Sequence, residues 1–156
     1  MQSRILLFLV ALCLSMPQGA SSQTVADVRQ YTTFRCDFAT SSVRILTTQQ
    51  TEIEKSDSMK DIVFAQVDYD AQRALKVGDN GSTPVFPVLG EETLHLLELT
   101  DISNLTTTTI FSKTGKLTSV GSATQMVYRA VMSRHVAGLA PEGIVSQYYG
   151  SCRAFA

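Results

Sequence analysis

Histidine is scarce in this chain of 156 residues: His95 and His135 are the only two, and no ligand pair stands beside either at a spacing above chance. A zinc site needs three or four nitrogen, sulfur or oxygen donors, so neither a metal nor a cofactor is expected. Charge of one sign is missing too, with 13 Lys and Arg against 14 Asp and Glu, spread along the chain rather than clustered. That excludes the basic stripe of a nucleic-acid binder and the basic amphipathic helix of an anionic-membrane binder. No G-x-S-x-G elbow and no C-x-x-C pair occurs, which removes the commonest signatures of a serine hydrolase and a redox dithiol. A membrane-spanning helix needs about 20 apolar residues, and no run of that length occurs.

What is present begins with a leader. Met1 to Arg4 is short and positive, Ile5 to Leu14 is unbroken apolar, and small residues follow Pro17 at Gly19, Ala20, Ser21 and Ser22. This is the charged, apolar and small-residue order of a secretory signal peptide. Residues 1–22 are therefore expected to be removed on export to the periplasm or exterior, with cleavage near Ala20 to Ser22 and no stable membrane anchor left. Cys13 sits inside the apolar run and goes with the leader. Of the three cysteines, Cys36 and Cys152 remain, and in an oxidising compartment they are expected to form one disulfide. Closing a loop of that length is worth roughly 4–5 kcal/mol in the chain-entropy account.

Residues 23–156 are enough for one domain with its own core, and their periodicity is mainly two. Tyr31 to Phe38 places Phe34, Cys36 and Phe38 on one face. Asp61 to Tyr69 reads as a strand with Val63, Ala65, Val67 and Tyr69 on one face, Ile62 and Phe64 on the other. Thr93 to Leu99, Leu105 to Ser112 and Thr124 to Ser133 follow, the last grouping Met126, Tyr128, Ala130 and Met132. Gly78-Asp79-Asn80-Gly81 and Lys113-Thr114-Gly115-Lys116 read as turns. Pro84 to Leu89 reads as an edge or bulged strand because Pro87 interrupts it. Val25 to Gln30 is expected to make a helical turn or two, Thr51 to Met59 a loop or solvated strand, and Pro141 to Cys152 an irregular stretch. Short strands and tight turns predict an all-β fold, an antiparallel meander forming a small barrel or sandwich. The disulfide would tie its two ends, which barrel closure brings side by side.

Several constellations invite chemistry. Ser133 and His135 share a strand face by alternation and could approach as nucleophile and base, but a triad needs a third group. Asp68 with Asp70, and Glu91 with Glu92, offer paired carboxylates, although acidic residues at turns are ordinarily solvated. His95 lies in an alternating apolar strand and reads as a partly buried structural histidine. Asn80 and Asn104 begin N-x-Ser/Thr tripeptides at turns. Tyr148 and Tyr149 precede the second cysteine, where tyrosines either pack on sulfur or anchor an interface.

With Ser133-Arg134-His135 and Ser146-Gln147-Tyr148-Tyr149-Gly150-Ser151-Cys152 in view, the chain resembles uncharacterised small secreted or periplasmic proteobacterial proteins. These carry S-R-H and then S-Q-Y-Y-G-x-C near the C-terminus. The resemblance implies an exported bacterial protein and brings no activity with it. In layout the chain is also similar to the periplasmic and membrane-bound inhibitors of c-type lysozyme, small barrels with a disulfide from an early strand to the C-terminus. Gly121-Ser122 and Thr114-Gly115-Lys116 differ from that family's S-G-x-x-Y and K-G loops, and tryptophan is absent, so no inhibitory residue is carried over.

The expected function is a non-enzymatic binding module recognising a protein partner through Arg134, His135, Tyr148 and Tyr149, an enzyme inhibitor being one form. The alternatives are a small hydrolase and a barrel enclosing a ligand in a cavity lined by Phe34, Phe64, Met126 and Met132.

Overall fold

Alternation gives each strand one face that has to leave water, and the chain satisfies those faces together by closing on itself. The computed structural model describes residues 27–45, 51–53, 58–78, 81–100, 103–136 and 143–156. The expected leader, Asp79 and Asn80 lie outside these residues. The strands are β1 (Thr33–Ile45), β2 (Thr51–Ile53), β3 (Met59–Asp68), β4 (Arg73–Gly78) and β5 (Gly81–Leu89). They continue with β6 (Thr93–Leu99), β7 (Leu105–Phe111), β8 (Lys116–Val120), β9 (Ala123–Val136) and β10 (Ile144–Phe155). Antiparallel pairing runs β1–β3–β4–β5–β6–β7–β9–β10 and returns from β10 to β1, a closed eight-stranded barrel.

The other two strands attach to this circuit. β2 pairs with β1, and β8 continues along the edge of β9 that β7 has left. Between β7 and β8 a 3-10 turn at Ser112–Thr114 interrupts the ladder. Thr114 repairs the gap: its Oγ1 accepts from the Arg129 N–H at 2.8 Å and donates to the Phe111 carbonyl at 2.7 Å.

Cys36 and Cys152 stand opposite each other in the β1–β10 register and are joined, so the disulfide staples the seam between the first and last strands. Phe34, Cys36 and Phe38 point inward as their alternation requires, as do Tyr128, Ala130 and Met132 on β9. One end is closed by the 3-10 turn Val28–Gln30, where Val28 is buried. The Tyr69 hydroxyl holds this turn, donating at 2.8 Å to the carbonyls of Val28 and Tyr31. Burial pushes the Tyr69 and Tyr128 phenols well above their ordinary range, with the carboxylate of Asp27 adding to the effect.

Three expectations need correction. On β3, Phe64 and Val67 are both buried, although strict alternation puts them on opposite faces. Gln66 adopts φ 54° and the pairing slips between Ala65 and Asp68, so an extra residue turns the strand over. β5 is not an edge. Pro87 is buried and opposes Leu96, and the β4–β5 ladder already ends at Ala74 and Val85, so Pro87 interrupts no β4 pairing. The stretch expected to be irregular is β10 from Ile144 onward. Its inner positions include Ser146, Gly150 and Ala154, small or polar residues that disguise the period of two. At the N-terminal side, the expected helical turn is present as the single 3-10 turn Val28–Gln30, and Val25 lies outside the described residues.

Candidate functional site

The four residues expected to form one recognition patch fall on two sides of the barrel wall. β9 runs on to Val136, so alternation continues through Arg134 and His135. Arg134 opposes Thr106 and Ser146 on the inner side, in line with the buried Met132 and Ala130. His135 opposes Leu105 and Val145 on the outer side. Tyr148 is 5% exposed and packs inward, while Tyr149 is 45% exposed outside, its hydroxyl donating to Gln147 Oε1 at 2.9 Å.

His135 and Tyr149 belong to a wider outer surface assembled from five strands. One row across β5, β6, β7, β9 and β10 reads Val88, His95, Thr109, Val131, Tyr149. The next reads Phe86, Leu97, Thr107, Ser133, Gln147, and a third reads Leu99, Leu105, His135, Val145. No Asp, Glu, Lys or Arg occupies any of these positions, and both histidines of the chain lie among them. At ordinary strand spacing the face is roughly 20 Å by 14 Å. Phe86 and Leu99 are the most open apolar side chains on it, at 56% and 62% exposure. His95 is fixed in its first row, with Nε2 3.0 Å from Thr93 Oγ1 and Nδ1 3.0 Å from Thr109 Oγ1.

The rest of the outer wall differs. Across β1, β3 and β10 it carries a charged network in which Arg35 Nε donates to Asp61 at 2.8 Å and Arg153 to Asp37 at 2.8 Å. The Asp61 backbone N–H donates to the same Asp37 at 3.0 Å. On this side of the wall the charges face out while Phe34, Phe38 and Phe64 face in, the opposite of a membrane barrel's outward apolar band. No helix among the described residues is long and apolar enough to cross a membrane.

Inside, polarity is segregated along the axis. The end near Val28 is apolar. The buried polar residues of the described chain, Ser41, Glu98, Thr108 and Ser146, all line the other half of the inner wall. Glu98 accepts from Lys76 Nζ at 2.8 Å, an ion pair reaching across β5 with the carboxylate side chain only 9% exposed. Arg134 lies two strands from Glu98, with Thr106 on the strand between. It is partly buried and makes no hydrogen bond or ion pair with any described residue.

The remaining candidates are brought together less well. Phe34, Phe64 and Met132, three of the side chains expected to line a cavity, are 0%, 2% and 1% exposed, so no water-sized space opens onto them. Ser133 and His135 share the outer face as expected, without a hydrogen bond between them among the described contacts. The Asp68 carboxylate caps its own turn: the Ala71 N–H at 2.8 Å, aided by Arg73, holds it below the usual carboxylate range. Glu92 pairs with Lys113, whose ammonium pKa is raised by that hydrogen bond.

Both the outer face and the inner polar half escape a reading of single segments, because each is made by residues from several strands. The one usable signal was the period of two through Met132, Ser133, Arg134 and His135. Compared with known proteins, the chain matches no family, no curated protein and no solved structure.

Proposed function

We propose that this chain is an exported, non-enzymatic binding protein that recognises a protein partner through the uncharged outer face of β5, β6, β7, β9 and β10. The observation that carries the reading is the charge asymmetry of the wall. One side is held by ion pairs around Asp37 and Asp61, while the three rows described across the other carry no charged side chain and expose Phe86, Leu99 and Tyr149. Interface centres are depleted of charge and anchored by aromatic residues, and a single soluble surface rarely gathers open apolar side chains without a use for them. A disulfide-stapled barrel presents such a face rigidly, which lowers the entropy lost on binding. Arg134 and Tyr148, which face inward, take no part in this face. An enzyme is one concrete partner class, since a rigid convex face without catalytic apparatus suits inhibition. The leader at 1–22 and the disulfide support maturation in an oxidising compartment.

The test uses the oxidised chain as bait in envelope and secreted extracts, beside Phe86→Asp and Tyr149→Ala baits checked for folding by circular dichroism. Support requires a partner that both variants lose and whose binding slows amide exchange in β6, β7 and β9. A partner held equally by Phe86→Asp would place recognition elsewhere. A concentration-dependent dimer abolished by Phe86→Asp would assign the face to self-association instead.

A further inference from the structure

We infer that His95 makes binding at the outer face pH-dependent, strong at neutral pH and weakened by acid, a regulation that rests on the recognition surface proposed above. The three rows of that face hold no Asp, Glu, Lys or Arg. Their titratable side chains are His95, His135 and Tyr149, and Tyr149 stands three strands away from His95. Near neutral pH the charge of the face is therefore set by histidine.

The setting of His95 is complete on every side. It lies between Val88 on β5 and Thr109 on β7, with Thr93 and Leu97 on the same side of its own strand. Neither β5 nor β7 contains a charged residue. On β6 the one charged residue is Glu98, which faces inward and pairs with Lys76. The adjoining 3-10 turn contributes Lys113, held by Glu92, and Glu91 and Glu92 are exposed in the turn before β6. Both ring nitrogens are engaged, Nε2 with Thr93 Oγ1 and Nδ1 with Thr109 Oγ1, each at 3.0 Å. A ring nitrogen has one in-plane hydrogen-bonding position, so in this arrangement the imidazole has none left for a carboxylate of its own chain.

A hydroxyl both donates and accepts, so Thr93 and Thr109 satisfy the ring in its neutral and its protonated form. Protonation thus leaves the barrel intact and alters the face, which passes from uncharged to positive. Histidine is the residue type whose ordinary pKa, about 6.5, puts such a change between pH 5 and 8. A partner covering the face takes His95 out of water, and burying an unpaired charge is costly. The bound state then holds fewer protons than the free one, so by linkage affinity falls as pH falls.

The experiment runs the folded, oxidised chain on phenyl-agarose, an apolar probe of the face, in falling ammonium sulfate gradients between pH 7.5 and 5.5. The parent carries His135→Gln, which leaves His95 as the single histidine with one imidazole Hε1 resonance. His95→Gln and Phe86→Asp are made in that parent. The parent should leave the column earlier at pH 5.5 than at pH 7.5, with a midpoint that follows the Hε1 titration and an unchanged near-UV spectrum. His95→Gln should be retained alike at both pH values, and Phe86→Asp should elute early at both.

Retention that stays constant while Hε1 titrates, or an Hε1 resonance that does not move, would overturn the switch. So would an equal pH effect in His95→Gln, or loss of the near-UV signal over the same range, because acid would then be opening the barrel. The parent's own resonance decides the matter if His95→Gln does not fold. Equal retention of Phe86→Asp and parent at pH 7.5 would show that this face does not hold the probe, and the outer-face reading would fall together with the switch.

Discussion

A Cβ placed on Gly150 would lie 2.0 Å from the carbonyl oxygen of Asp37 and 2.7 Å from the Cα of Phe38. The contact falls where the β1–β10 pairing slips between Phe38 and Thr40, two residues from the disulfide on each strand. Glycine at 150 is thus what allows the first and last strands to close together at the bulge.

Gly150→Ala is expected to lose about 1–3 kcal/mol, the usual cost of forcing extra volume into a packed site, because the obstacle is backbone and cannot rotate away. Urea unfolding of the oxidised protein measures it. Gln147→Ala, exposed on the same strand, should stay within about 0.5 kcal/mol. An unchanged midpoint for Gly150→Ala would mean the two backbones are not in contact.

The Lys76–Glu98 pair yields a second expectation. Removing Lys76 as Lys76→Met strands a carboxylate that is almost wholly inside, at a cost of roughly 2–3 kcal/mol, reduced from the fully buried case because Lys76 is partly exposed. Glu98→Leu should cost more at low salt, since it leaves Lys76 and Arg134 as two like charges on the inner wall. The double variant Lys76→Met, Glu98→Leu should recover most of the loss of either, because well-packed apolar residues replace buried ion pairs at little cost. A double-mutant cycle in urea reads the coupling, and additive losses would show that the pair contributes nothing jointly.

Alkaline pH tests the closed end. Burial raises the Tyr69 and Tyr128 phenols in the folded state. A raised folded pKa gives stability that is complete below the unfolded value, about 10 for tyrosine, and that disappears as pH climbs toward the folded one. Melting temperature should therefore hold through pH 9 and fall above about pH 10. Absorbance at 295 nm should show Tyr69 and Tyr128 ionising only as the barrel opens. Tyr69→Phe should shrink the alkaline fall while lowering stability at neutral pH, because the Val28 and Tyr31 carbonyls lose their donor. Full ionisation of all five tyrosines in a still-folded protein would contradict this assignment.

Much of the barrel is legible along single strands. Phe34, Cys36 and Phe38, and Met126, Tyr128, Ala130 and Met132, alternate cleanly because nothing in those segments breaks the period of two. β3 is not legible in the same way. The positive φ at Gln66 falls on a residue type with no special preference for it, so the bulge that turns Val67 inward leaves no local signature. β10 is hidden for the opposite reason. Ser146 and Gly150 look like loop residues, yet they are inward positions, one beside the Arg134 guanidinium position and one at a close backbone approach.

The chain's own order of residues determined the all-β class, the Cys36–Cys152 staple and the inner identity of most core positions, since those depend on local alternation and on two cysteines that only each other can satisfy. The tertiary structure alone decided which strands became neighbours. That is why the uncharged outer face and the inward setting of Arg134 between Thr106 and Ser146 are properties of the closed barrel: each is a sum over residues brought together by hydrogen-bonded register, and register is set by closure, not by any one segment.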